Sequence, residues 1–159
     1  MRVLCLSIAA LGGAATAGCD QASGEDAEVV AERLLGAWVR VDAETGAPDW
    51  SVCDRELPVV MGTTILPGRR WGGDLYFEPS GEADVYAGSG GPTEMDLSEA
   101  RLSPRGDKVR MQAWGASYDL VFGEAEIDGA VRETLTVTYR GGATPNPRDY
   151  VRCASRDRP

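Results

Sequence analysis

Apolar residues recur at helical spacing in one stretch near the start of the chain. They lie three, four, seven and eight positions after the first, which places them on one face of an α-helix. Ser23 or Asp26 can cap the start of this helix, and Gly36 can end it in a left-handed conformation. The apolar positions are Ala27, Val30, Ala31, Leu34 and Leu35. The spacing predicts one short helix.

After this stretch, apolar and polar residues alternate in short runs that are separated by turn residues. A period of two is typical of strands with one buried face. The clearest hairpin has three core-facing positions on each strand, joined through Asp128-Gly129, a pair suited to a type I′ turn. Those positions are Tyr118, Leu120 and Phe122 on one strand and Leu135, Val137 and Tyr139 on the other. Further predicted strands cover residues 37–42, 59–66, 74–78, 83–87, 97–102, 108–113 and 150–154.

Eight or nine short antiparallel strands with one helix indicate an all-β domain, a barrel or a sandwich, in which closure hides the sheet edges. Residues 43–73, apart from 59–66, are predicted to be irregular, and residues 88–91 are predicted to be a loop. We expect a small up-and-down β-barrel of about eight strands. It would occupy residues 27–159 as one domain, since the chain length leaves room for a single core.

The composition narrows the classes of function. With 25 acidic and 16 basic residues the net charge is −9, so nucleic acid is a poor partner. Histidine is absent, which removes the usual neutral-pH general base and the commonest metal ligand. Glu94, Asp96 and Glu99 lack the spacing of a calcium loop and are predicted to form a solvated strand edge. We therefore expect a non-catalytic protein with no cofactor and no metal.

Residues 1–18 have the layout of a signal peptide, with a basic start, an apolar stretch and a run of small residues. The uncharged stretch is too short to span a membrane. Two cleavage sites compete. Ala15 and Ala17 fit an A-x-A site with cleavage before Gly18, whereas Thr16-Ala17-Gly18-Cys19 resembles the lipobox of bacterial lipoproteins, with cleavage before Cys19.

The four cysteines favour the second cleavage site. Cys5 leaves with the signal peptide. If Cys19 carries the lipid, Cys53 and Cys153 remain as an even pair that can form one disulfide in an oxidising envelope. If cleavage occurred before Gly18, Cys19 would remain as an exposed thiol without a disulfide partner. The lipobox resemblance implies a lipidated tether over residues 19–26 and an anchor in the inner or outer membrane, facing the periplasm.

Gly36-Ala37-Trp38 follows the predicted helix and opens the first predicted strand. It resembles the G-x-W signature of lipocalins and lipocalin-like bacterial domains, whereas the T-D-Y signature of that family is not found. In the family, the Trp packs at the closed end of an eight-stranded barrel and an Arg near the last strand lies across it. The resemblance implies that Arg152 stacks on Trp38. The alternative is a Trp that fills a β core.

Trp50, Trp71 and the adjacent Arg69 and Arg70 belong to the long irregular region, where barrels of this type place the loops around the open mouth. Aromatic rings beside a cation suit an apolar ligand with a carboxylate, or a protein hot spot, and ordinary packing is the alternative.

Two functions follow from these observations. The first is a membrane-anchored envelope lipoprotein whose barrel binds a small apolar or amphipathic molecule without catalysis. The second is a protein-binding module, such as an envelope assembly factor or an inhibitor of a cationic enzyme, which the acidic charge favours.

Overall fold

One α-helix, one 3₁₀ helix and ten strands follow one another in the computed structural model, which describes residues 27–80 and 84–154. Helix α1 is Ala27–Leu34 and the 3₁₀ helix is Trp50–Asp54. The strands are β1 (Gly36–Arg40), β2 (Leu57–Met61), β3 (Thr64–Trp71), β4 (Leu75–Pro79), β5 (Val85–Gly90), β6 (Met95–Arg105), β7 (Lys108–Ala113), β8 (Ala116–Ile127), β9 (Ala130–Tyr139) and β10 (Pro147–Arg152). No helix in this part of the chain is long and apolar enough to cross a membrane.

Eight of the ten strands form a closed antiparallel barrel. Going round the barrel, the order is β1, β4, β5, β6, β7, β8, β9 and β10, and β10 pairs with β1 to close it. Apart from the closing pair of β10 and β1, neighbours in the barrel are also neighbours along the chain, with the β2–β3 hairpin inserted between β1 and β4. The predicted all-β, up-and-down barrel with a short helix before it is therefore confirmed.

The β8–β9 hairpin has the register that the sequence pattern predicts. Tyr118 lies opposite Tyr139, and Leu120 opposite Val137. Asp128 and Gly129 at the turn have φ of 54° and 74°, as a type I′ turn requires. Leu120 is fully buried, whereas Tyr139 is half exposed, because it lies at the rim of the barrel and not in its core.

The β2–β3 hairpin corrects the expectation that most of residues 43–73 are irregular. The predicted strand over residues 59–66 is in fact two strands that turn at Gly62, which has a φ of 60°. β2 pairs in parallel with the start of β6, so the hairpin lies outside the barrel wall. It covers an apolar outer face of that wall, in a cluster formed by Leu57, Val59, Trp71, Met95 and Leu97.

The glycine-rich stretch of residues 88–91 is also corrected, since Gly88 and Gly90 belong to β5. A Cβ at Gly88 would lie 2.8 Å from Trp71 Cε3 and 2.8 Å from Met95 Cγ. Glycine is required there because the Trp71 ring packs against the backbone of the strand. The stretch is a packing surface for the hairpin and not a loop between strands.

The main core fills the barrel from the end that α1 covers. Val30 and Leu34 of the helix are fully buried against it. Its larger side chains are Trp38, Phe77, Leu102, Met111, Leu120 and Leu135. A third cluster lies outside the wall, where the 3₁₀ helix packs on Val39, Ile127 and Val151. β1 is therefore apolar on both faces, because Trp38 points inward while Val39 points outward under the 3₁₀ helix.

Candidate functional site

The two ends of the barrel differ, and β8 shows how. Tyr118 lines a cavity at one end of the barrel. Phe122, two inward positions further along the strand, packs under Arg33 of α1 at the other end. The helix closes the second end and leaves the first open. The open end is therefore the place where a ligand can enter.

The closed end is built around Trp38. Its indole Nε1 donates a hydrogen bond to the Leu34 carbonyl at 2.8 Å, and the Arg152 guanidinium lies 4.3 Å from the centre of its ring. Gly36 lets the chain pass from helix to strand with a φ of 104°. The contact between Arg152 and Trp38 that the G-x-W resemblance implies is present. It fixes the helix on the barrel and faces away from the open end.

Arg152 also connects the helix end to the barrel wall. It donates to the carbonyls of Leu35 and Arg33, and its Nε lies 2.8 Å from Glu133 Oε2. Arg33 donates to the other oxygen of the Glu133 carboxylate at 2.7 Å. Burial raises the pKa of Glu133, but the hydrogen bonds from the two guanidinium groups outweigh it and hold this pKa below its ordinary value. The closed end is thus held by charged contacts above an apolar core.

The open end contains a cavity of about 520 Å³. Its walls come from seven of the barrel strands and the segments that adjoin them, so the barrel itself shapes it. The inner part is apolar or aromatic and the rim is polar. The lining residues are Leu75, Ser89, Asp96, Met111, Trp114, Ala116, Tyr118, Val137, Tyr139, Asn146, Arg148 and Tyr150.

Strand alternation explains which side chains point into this cavity. On β10, Arg148 and Tyr150 line the cavity, whereas Asp149 between them bonds Thr136 on the outer face at 2.6 Å. On the opposite wall, Ser89 of β5 lies directly between Leu75 and Asp96 of the adjacent strands, and all three line the cavity.

Trp114 is placed at the rim by an unusual turn. Trp114 and Gly115 join β7 to β8 with φ of 50° and 68°, and a bulky residue rarely adopts such a φ. The backbone N–H of Trp114 donates to Ser98 Oγ at 2.9 Å, and its indole Nε1 donates to the Asp96 carbonyl at 3.2 Å. These two hydrogen bonds hold the ring at the cavity edge. There it packs edge-on against the Tyr118 ring, with the two ring centres 5.9 Å apart.

Two tyrosine hydroxyls in the cavity remain protonated at neutral pH. Burial raises the pKa of Tyr118. Burial also raises the pKa of Tyr150, while the positive charge of Arg148 acts in the opposite direction. Both hydroxyls can therefore donate hydrogen bonds to a ligand.

The four residues predicted to surround the mouth lie elsewhere. Trp71 is only 4% exposed and stacks on Tyr76 under the β2–β3 hairpin, with ring centres 4.6 Å apart. Arg69 and Arg70 belong to the same hairpin, outside the barrel wall. Arg69 Nη1 lies 2.8 Å from a carboxylate oxygen of Glu78. None of the three lines the cavity, because the segment that carries them folds as an outer hairpin and not as a mouth loop.

Trp50 also lies outside the barrel. Its indole Nε1 donates to Asp128 Oδ2 at 2.7 Å, and the Arg132 guanidinium lies 4.7 Å from its ring centre. The ring packs in the outer cluster beside the 3₁₀ helix. Packing, the alternative that the sequence left open, describes the position of this residue.

Cys53 and Cys153 form a disulfide between the 3₁₀ helix and the segment after β10. The backbone N–H of Cys153 donates to the Ala37 carbonyl of β1 at 2.9 Å. The bridge thus lies at the junction of the first and last strands, outside the barrel. Cys19, the predicted lipidation site, lies outside the described residues, as do the predicted signal peptide and the predicted tether.

The sequence pattern predicts some of the cavity residues to face the core but does not identify them as a site. Tyr118, Val137 and Tyr139 are among these inward positions, yet no sequence signal shows that their end of the barrel is the open one. Arg148 and Tyr150 carry a usable signal, since they alternate with Asp149 and Val151 along the last strand. The position of Trp114 depends on a two-residue turn that the sequence pattern does not predict.

Comparison of the chain with protein-family models, with curated proteins and with solved structures finds no match.

Proposed function

We propose that the barrel binds a small amphipathic molecule through its open end and performs no chemistry on it. The observation that carries this proposal is the cavity of about 520 Å³. Ligand sites in proteins have volumes of roughly 300–1,000 Å³, with mostly apolar walls and a few polar groups that orient the ligand. A barrel that served only as a scaffold would gain stability from filling this space with side chains.

The lining suits a molecule with an apolar body and a polar head. Leu75, Met111 and Val137 provide an apolar inner surface, and Tyr118 and Tyr150 add aromatic area with hydroxyl donors. The polar groups lie at the rim, where a ligand head can remain in contact with water. An apolar chain in the inner part would release water from these walls, which favours binding by about 25 cal/mol per Å² of buried apolar surface.

Binding can be measured by titrating amphipaths with a ten-carbon chain into the full chain carrying Cys19→Ser. The test variant is Val137→Trp, which places a large side chain in the cavity, and the matched control is Val131→Trp on the same strand. Val131 is 71% exposed and lies away from the cavity. We expect Val137→Trp to weaken binding at least about tenfold, or about 1.4 kcal/mol, and Val131→Trp to leave it unchanged. Absence of saturable binding, or equal losses in both variants, would contradict the proposal.

We also propose that the protein is an envelope lipoprotein of lipocalin-like type, anchored through Cys19. The bridge between Cys53 and Cys153 supports this, because it leaves Cys19 as the one cysteine of the expected mature chain outside a disulfide. The stacking of Arg152 on Trp38 supports the lipocalin-like part. Labelling cells with radioactive palmitate tests the anchor. We expect label in the native chain and none in Cys19→Ser, and an unlabelled native chain would contradict it.

The alternative of a protein-binding module stays a prediction. A pull-down with the Cys19→Ser chain tests it, since capture of a basic protein that weakens with salt would favour electrostatic recognition by this acidic protein.

A further inference from the structure

Two opposite charges at the cavity rim have no ion-pair partner in the part of the chain that is described. The Arg148 guanidinium lies close to Tyr150, and within residues 27–80 and 84–154 the carboxylate of Asp96 has no hydrogen-bond or ion-pair partner. Asp119 of β8, by contrast, binds both Arg110 and Arg140, at 3.0 and 2.6 Å. Asp96 and Arg148 are therefore available to a ligand.

The barrel order places these two charges across the mouth from one another. Asp96 lies on β6 and Arg148 on β10, and the two strands are four steps apart in either direction around a barrel of eight. Both side chains line the cavity. A pair across an open mouth cannot neutralise itself by direct contact as neighbouring side chains do.

An aromatic arc joins the two charges along one side of the rim. Trp114, Tyr118 and Tyr139 follow one another in the direction from β6 to β10, with centres of adjacent rings 5.9 and 5.7 Å apart. Trp114 is the ring nearest Asp96, because its indole is bonded to the carbonyl of that residue. A ring face beside a carboxylate is a favourable place for a substituted ammonium group. At the other end of the arc, Arg148 and the Tyr150 hydroxyl can both donate to an anion.

We propose that the ligand is a zwitterionic amphipath, with its cationic group at Asp96 and Trp114 and its anionic group at Arg148 and Tyr150. The apolar chain lies against Leu75 and Met111 in the inner part of the cavity. This inference rests on the proposed ligand-binding function and adds the chemistry of the head group. We expect a zwitterionic ligand to bind about fivefold to tenfold more tightly than a ligand that carries only one of the two charges. The reason is that an ion pair exposed at the rim contributes about 1 kcal/mol.

Calorimetric titration of the full chain carrying Cys19→Ser tests the proposal, using probes below their micelle concentrations. Decyl betaine supplies the zwitterion, while decanoate and decyltrimethylammonium each supply one charge on a comparable chain. Glycine betaine supplies the head group without the chain. We expect decyl betaine to bind most tightly. Tight binding of glycine betaine would assign the site to a small polar zwitterion and overturn the amphipath.

Substitutions then assign each charge. Asp96→Asn should lower decyl betaine affinity to that of decanoate, and Arg148→Gln should lower it to that of decyltrimethylammonium. The matched controls are Asp107→Asn, in the turn between β6 and β7, and Arg105→Gln, at the end of β6, both at the closed end of the barrel. These should leave the order of affinities unchanged. Thermal unfolding of each variant checks that its fold is intact.

Two outcomes distinguish a failure of this inference from a failure of the proposed ligand-binding function. If decanoate or decyltrimethylammonium binds as tightly as decyl betaine, the zwitterion is overturned while the binding function stands. If none of the ten-carbon probes binds, the proposed function itself is overturned.

Discussion

The Glu133 side chain links three elements through one carboxylate. It lies on β9 and accepts hydrogen bonds from Arg33 of α1 and from Arg152 of β10. Both guanidinium groups also have ring contacts, Arg33 with Phe122 and Arg152 with Trp38, at 4.2 and 4.3 Å from the ring centres. Loss of this one charge therefore loosens the helix, the last strand and the Trp38 environment together.

We expect Glu133→Gln to lower the free energy of unfolding by about 1 to 2 kcal/mol at neutral pH, because two charge-assisted hydrogen bonds at a half-buried site are weakened. Urea unfolding measures the change. Glu126→Gln is the control, since that exposed carboxylate on the neighbouring strand has no bonded partner among the described residues. Equal stability of the two variants would contradict the role of Glu133.

The same site gives a pH dependence with a definite sign. The pKa of Glu133 lies below its ordinary value in the folded chain, so the unfolded chain takes up the proton first as the pH falls. Its contribution is fully present above the unfolded pKa of about 4.3 and disappears as the pH falls through the folded pKa. The stability difference between the native chain and Glu133→Gln should therefore shrink below about pH 4, as urea titrations at several pH values would show. A difference that grows on acidification would contradict this.

Strand β5 has a strict packing requirement at Gly88. The Trp71 ring of the outer hairpin lies against Gly88, which leaves no room for a Cβ. We expect Gly88→Ala to destabilise the protein by about 1 to 3 kcal/mol, because the hairpin must move away from the wall. Thermal unfolding followed by circular dichroism measures the change in stability.

Gly123→Ala on β8 is the matched control. It is also a strand glycine, but a Cβ there would approach only the Thr134 hydroxyl, at 3.1 Å, and this side chain can rotate. We expect a change below about 1 kcal/mol, since alanine also restricts the unfolded chain. If the two glycine variants lose stability equally, the hairpin contact is not the reason for glycine at position 88.

Local sequence patterns predict the individual strands and turns better than they predict how these elements are arranged in space. The period of two gave the inward positions of β8 and β9, and Asp128-Gly129 gave their turn, because both signals depend on neighbouring residues only. The outer position of Trp71 depends on Gly88 of another strand, and the identity of the open end depends on where α1 packs. Arg148 and Asp96 line the same cavity only because the barrel closes. A pattern of neighbouring residues does not predict which distant strands pair to close it.

At the scale of the whole molecule, one covalent bridge joins distant parts of the chain. Cys53 and Cys153 are 100 residues apart in sequence, and linking them restricts the unfolded chain by about 4 to 5 kcal/mol in the loop-entropy description. We expect reduction to lower the free energy of unfolding of the Cys19→Ser chain by about 3 to 5 kcal/mol. The double variant Cys53→Ala, Cys153→Ala should have this lower stability with or without reductant. If the unfolding midpoint of the Cys19→Ser chain did not change with reductant, this would contradict a structural role of the disulfide.

The helix that seals one end of the barrel bears on how the proposed lipid anchor would orient the molecule. The chain enters the fold through α1, so a lipid attached upstream of Ala27 would hold the molecule by its sealed end. With the anchor proposed at Cys19, the opening would then point away from the bilayer. Cargo would be exchanged with the aqueous space or with a facing surface, and not taken up directly from the supporting leaflet.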